Sequence, residues 1–133
     1  MLPGRGGPTT SVVFDPDRHR HIDQLIRHAR TTGLPVDRAS KLAVAAHEVA
    51  AAAYHGTGDA RIRLWPDRAA LVCEITDPGV ITDPMIGRSG CSTGTARDRA
   101  AGLANALCDL VQIRSTPDGT TTRLHSRPEA ASR

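Results

Sequence analysis

The sequence predicts an α+β fold: a two-layer sandwich of a mostly antiparallel, mixed sheet with helices on one face. Three observations predict it. Two pairs of strand-like stretches are each folded back by a turn signal, at Pro66-Asp67-Arg68 and at Thr116-Pro117-Asp118-Gly119. Three other stretches repeat apolar residues at helical rather than strand spacing. Laid end to end, the elements run β-α-α-β-β-loop-α-β-β without an internal repeat, the order expected of helices gathered on one side of a sheet. At 133 residues the chain has room for one domain, read as 1–133 with flexible ends at about 1–8 and 127–133.

Thr10 to Phe14 (TSVVF) has strand composition and stops at Asp15-Pro16. Asp17 reads as the N-cap of a helix to about Thr31, with Ile22, Leu25, Ile26 and Ala29 on its apolar face. Gly33-Leu34-Pro35 breaks it. A second helix runs from about Asp37 to about His55, its face built from Ala39, Leu42, Ala43, Ala46, Val49, Ala50 and Ala53, with Gly56 and Gly58 ending it. Ala60–Trp65 alternates, and in Ala69–Thr76 the residues Leu71, Cys73 and Ile75 share a face, so the two form a hairpin. From Asp77 to about Thr95 periodicity disappears among Gly, Pro, Ser and Thr; structureless stretches of that length are often functional. A third helix is expected from about Arg97 to Leu110, with Leu103, Ala106, Leu107 and Leu110 as its stripe. The final hairpin pairs Val111–Ser115 with Thr120–Ser126.

Composition excludes several classes. Hydrophobic residues make up 39% of the chain but aromatic ones only 2%, so the core must be aliphatic and small. A charged fraction of 23% beside that apolar content argues against disorder. The longest apolar run, Val49 to Tyr54, is far short of a bilayer span, and no apolar stretch follows Met1; a cytoplasmic protein is expected, with no membrane partner. Cys73, Cys91 and Cys108 lie far apart with no CxxC, which suggests neither a disulfide framework nor a zinc site, and no metal ligand is assigned. Cys73 and Cys108 fall on core positions. His19, His21 and His28 are spaced too irregularly for a metal and are read as surface side chains, and Trp65 as a surface or interface residue. The net charge of +3 arises in the first third: residues 1–41 hold seven of the 17 basic and four of the 14 acidic side chains, leaving ten of each beyond. Nucleic-acid binding would want a denser basic stripe or interleaved aromatics, so it is not expected.

Two places can carry chemistry. Glu48 is the one acidic residue in the small, apolar segment LAVAAHEVAAAAYHG, where position 52 lies one turn on and 55 nearby. A carboxylate there can act as a general base toward a hydroxyl brought within reach; on helix pattern alone, a solvent-facing Glu explains it as well. Asp77-Pro78-Gly79 closes a strand. Its carboxylate can accept a hydrogen bond from a ligand amine, and its glycine admits a close backbone approach.

With these words in place (LAVAAHEVA, ARIRLWPDRAALVCEITDPG, ITDP, NALCDLVQIRS and GTTTRLH), the chain resembles the anti-sigma-factor serine kinases of bacteria, small histidine kinase-like ATPase domains, from about Phe14 to His125. The resemblance implies the histidine kinase-like ATPase fold and ATP with Mg²⁺ as cofactors. It implies Glu48 as catalytic base, Asp77 and Gly79 as the adenine contact, and Thr120 or Thr121 as the residue supporting that contact. It implies a sigma factor or an anti-anti-sigma protein as partner, and it favours a homodimer.

The transfer is partial. Where the family carries a metal-binding asparagine, this chain has Ala52, whose methyl group has no lone pair to offer a hard cation. His55-Gly56 comes one residue early, and Asn105 matches no metal position. Asp98, Arg99, Ala100 and Ala101 stand where the family has a Gly-rich phosphate run, and Asp98 adds negative charge there. Ser89 to Gly94 can supply amides at a spacing that is not diagnostic. The expected function is therefore an anti-sigma-like regulator of transcription, a pseudokinase acting by protein–protein binding with impaired or absent ATP–Mg binding. Helix 17–31, with Arg20, Arg27 and Arg30, is its candidate docking surface. The alternative is an active ATP-dependent protein serine kinase that phosphorylates an anti-anti-sigma partner, with Glu48 as base.

Overall fold

A computed structural model describes residues 10–15, 21–68, 70–79 and 96–128. Five strands, β1 (Thr10–Val13), β2 (Arg61–Asp67), β3 (Ala70–Asp77), β4 (Leu110–Thr116) and β5 (Gly119–Ser126), form one sheet in the order β1-β2-β3-β5-β4. All four pairings are antiparallel, so the mixed character expected of the sheet does not occur among the described strands. Three helices, α1 (His21–Thr31), α2 (Val36–Thr57) and α3 (Ala96–Leu107), complete the two-layer α+β arrangement. The cap at Asp17, the phosphate-loop stretch Ser89–Gly94, Cys91, His19 and Arg20 lie outside the described residues.

The core lies between α2 and the sheet. Strand alternation sends Ile62 and Leu64 of β2, Leu71, Cys73 and Ile75 of β3 and Leu124 of β5 to the same buried side. Opposite them α2 presents Ala39, Leu42, Ala43, Ala46, Val49, Ala50 and Ala53, all buried. With mostly methyl groups on that face the helix can sit close to the sheet. Burial pushes the Cys73 thiol well above its ordinary range, helped by the neighbouring Cys108, and burial pushes Cys108 up to about 12. Thr57 is the last residue of α2, and Gly58, at φ +78°, caps it by donating its N–H to the carbonyl of Tyr54.

Four local expectations change. His21, read as a surface residue, is buried: its ring stacks on Phe14 at 5.3 Å and its Nε2 lies 3.0 Å from the Asp15 backbone. Trp65 is buried too, with the guanidinium groups of Arg63 and Arg123 over its ring, 5.8 and 5.5 Å from the ring centre. The third helix stops at Leu107 and buries Ala100, Ala101 and Ala104 instead of Leu103, which is 37% exposed, while Leu110 already belongs to β4. The narrow gap beside α2 takes alanines more readily than leucines. Finally, Arg127, expected to fray, donates its backbone N–H to the Asp109 carboxylate at 2.7 Å, and that carboxylate also accepts from Arg38 at 3.0 Å, tying α2 to the α3–β4 junction.

The sheet face away from the helices carries His125, whose Nε2 lies 3.0 Å from Gln112 Oε1. Partial burial lowers its pKa below the ordinary histidine value, and Arg123 and Arg127 lower it further, with Asp67 opposing. The unfolded chain takes up a proton near pH 6.5 that the folded chain refuses, so this contribution is complete above that pH and is lost as the pH falls below it. His125→Gln should therefore flatten the decline in urea midpoint between about pH 7.5 and about pH 5.5. An unchanged decline would assign it to other groups.

Candidate functional site

One end of the sandwich gathers the C-termini of β3 and α2, the start of β5 and the first turn of α3. Asp77 continues the inward-facing series of Leu71, Cys73 and Ile75, and its cross-strand partner is Thr120. The Thr120 hydroxyl donates to the Gly79 carbonyl at 2.7 Å and shares a 3.0 Å hydrogen bond with Ser115 on β4. Gly79 folds back so that its N–H reaches Asp77 Oδ1 at 2.8 Å. A β-carbon on Gly79 would stand 2.8 Å from the Thr57 methyl and 2.9 Å from Asp77 Oδ1, so glycine is what the corner admits.

Arg97, from the first turn of α3, closes this corner. Its Nη2 donates to Asp77 Oδ1 at 2.9 Å and its Nη1 to Oδ2 at 3.2 Å. The Asp77 side chain is 2% exposed and that of Arg97 20%. This is a two-pronged guanidinium–carboxylate pair in a desolvated place, the strongest common kind of side-chain hydrogen bonding. Both carboxylate oxygens that face a ligand amine in the expected scheme already have donors.

The structure thus brings Asp77, Gly79 and Thr120 together. Thr121 alternates to the opposite face, where it pairs with Thr76 and Arg114. Glu48 is an exposed residue of α2, nine positions before Thr57 and so roughly 13 Å along the helix from this corner. Ala52 packs half-buried against the core. Ala100 and Ala101, aligned with the expected phosphate run, are buried inside α3, and Asp98 sits in its first turn. Arg97 and Ser115 were not anticipated. For Ser115 a signal existed, since the tight turn at Pro117-Asp118 sets it opposite Thr120; for Arg97 none did.

A family model described as a histidine kinase-like ATPase domain matches residues 13–126. The chain belongs to that family. No curated protein matches it. As a member of the histidine kinase-like ATPase family, it can be tested for fit to ATP and Mg²⁺ from its own side chains. On the base side, the Asp77 carboxylate could accept from an adenine amino group only in place of Arg97, which already donates to both of its oxygens. The metal half does not fit: Ala52 offers no oxygen, and among the described residues no group of three His, Cys, Asp or Glu side chains is placed to hold a cation. No helix of the described residues is long and apolar enough to cross a membrane.

Proposed function

We propose that this chain is a regulatory member of the family, an anti-sigma-like protein that works by binding a protein partner, with its nucleotide site impaired. The observation that carries the reading is the Arg97–Asp77 pair: the carboxylate on which adenine recognition depends is spent inside the protein. Ala52 supports it, because phosphoryl transfer rests almost wholly on metal and positioning. The partner in this reading is a sigma factor or an anti-anti-sigma protein, and the exposed Arg27 and Arg30 of α1 are candidate contacts for it.

Calorimetric titration with ATP, with and without Mg²⁺, tests the reading. The expected result is no saturable binding tighter than about 100 μM, the equivalent of roughly 5.5 kcal/mol, and no strengthening by Mg²⁺. Tight, Mg²⁺-strengthened binding together with phosphate transfer to a partner's serine would establish the kinase instead.

A further inference from the structure

The helices pack on one face of the sheet, and among the described residues none packs on the other. Register places on that second face a row of Arg61, Thr76, Thr121 and Arg114, and beside it a row of Arg63, Glu74, Arg123 and Gln112. Four arginines thus stand against two carboxylates of the same strands, Glu74 and Asp67. Strand spacing of about 4.8 Å puts Arg61 and Arg114 roughly 14 Å apart, with the two rows about 7 Å from each other. The patch is therefore compact.

Glu74 gives it its special character. Its side chain is 3% exposed, and it accepts hydrogen bonds from Arg63 Nε and Nη2 and from Arg123 Nε. A carboxylate buried in the sheet surface thereby holds two guanidinium groups in place, braced from the side by the Trp65 ring. Those arginine side chains remain 41% and 44% exposed, so donors that Glu74 does not use face solvent. Guanidinium groups fixed in advance lose little side-chain entropy on meeting a second carboxylate. Between Arg61 and Arg114 the half-buried hydroxyls of Thr76 and Thr121 form a shallow polar floor. Among the described residues Arg61 has a loose 3.8 Å pairing with the half-exposed Asp59.

We infer that this face is a docking surface for an acidic protein segment, whose carboxylates are taken by Arg61, Arg63, Arg114 and Arg123. It rests on the partner-binding reading above for its biological role, but it is distinct from the Asp77 corner and from α1. Charge complementarity fixes the class of occupant, and the lack of an exposed aromatic platform favours a peptide over nucleic acid: Trp65 is buried and closed to a stacking base.

The test is fluorescence anisotropy with a labelled glutamate-rich peptide of about twelve residues at low salt. The whole chain should bind it. Arg61→Glu with Arg114→Glu should weaken binding at least tenfold without lowering the melting temperature, because neither arginine is bonded to Glu74. Arg63→Gln with Arg123→Gln should weaken it as well. Lys41→Glu, at an exposed position of α2, should leave it intact. Peptide binding that survives both open-face variants, or is lost only with Lys41→Glu, would overturn the inference. So would a single-stranded oligonucleotide of equal charge binding more tightly than the peptide. ATP titration is independent of these outcomes, so a nucleotide-binding kinase that still captures the peptide on this face would refute only the proposed function.

Discussion

Replacing Arg97 with alanine should raise affinity for adenosine by roughly ten- to a hundredfold while lowering the stability of the protein. A ligand amine that reaches Asp77 in the parent must first break the two-pronged pair made by Arg97. Its loss costs about 1.5–3 kcal/mol for a desolvated charge pair, and each 1.4 kcal/mol is a factor of ten in affinity. Removing the guanidinium also leaves a carboxylate that is 2% exposed with, among the described residues, the Gly79 N–H as its remaining donor. That cost should lower the melting temperature by something on the order of 10 °C. A gain in binding together with a loss of stability is what removal of a partner that both occupies and satisfies the carboxylate requires. Adenosine is the better probe because it carries the amine that would reach Asp77 and no phosphate, so Ala52 does not enter the result. Adding Asp77→Asn to Arg97→Ala should abolish the gain. Arg97→Met keeps the aliphatic stem and serves if the alanine variant is too unstable to purify. A folded Arg97 variant with no gained affinity would mean that the pair does not close the site.

How far the sequence leads depends on whether a contact is local. The hairpin registers follow from alternation and turn chemistry, and with them the inward direction of Asp77. The choice between Thr120 and Thr121 was decidable on the same grounds: with Leu124 facing the core, parity sends Thr120 inward and Thr121 outward. Alanine spacing marks α2 along almost its full length. By contrast, Arg97 lies twenty residues from Asp77 across an aperiodic stretch, and no pattern in that stretch says which side chain returns to the carboxylate. Burial of His21 and Trp65 depends on partners brought in from elsewhere, Phe14 in one case and Arg123 in the other. On α3 the stripe of leucines is a fair helical pattern, yet the neighbouring helix selects the smaller face. The family was legible because it rests on element order and short words. The closure of the Asp77 corner was not, because it rests on a single long-range ion pair.

Gly119→Ala should be the most damaging change that removes no functional group. Gly119 sits at φ +139°, in the half of conformational space that a side chain enters only with strain of about 1–3 kcal/mol. A β-carbon there would also collide with the Asp77 backbone carbonyl oxygen and stand 3.2 Å from Pro78 Cα. Neither neighbour is a side chain that can rotate aside. Relief requires β5 to draw away from the end of β3, which pulls Thr120 from the Gly79 carbonyl and loosens the Asp77 corner. A combined cost of about 3 kcal/mol or more, and a fall in melting temperature of roughly 10–15 °C, is expected. Gly33→Ala separates the two causes. Gly33 has φ +99° with nothing within 4 Å of its would-be β-carbon, so that variant carries backbone strain alone and should lose much less. Amide exchange at Gly79, whose N–H is held by Asp77, should quicken in the Gly119 variant and not in the Gly33 variant. Equal losses in the two would mean that the close approach of the last hairpin to Asp77 is not what keeps this corner shut.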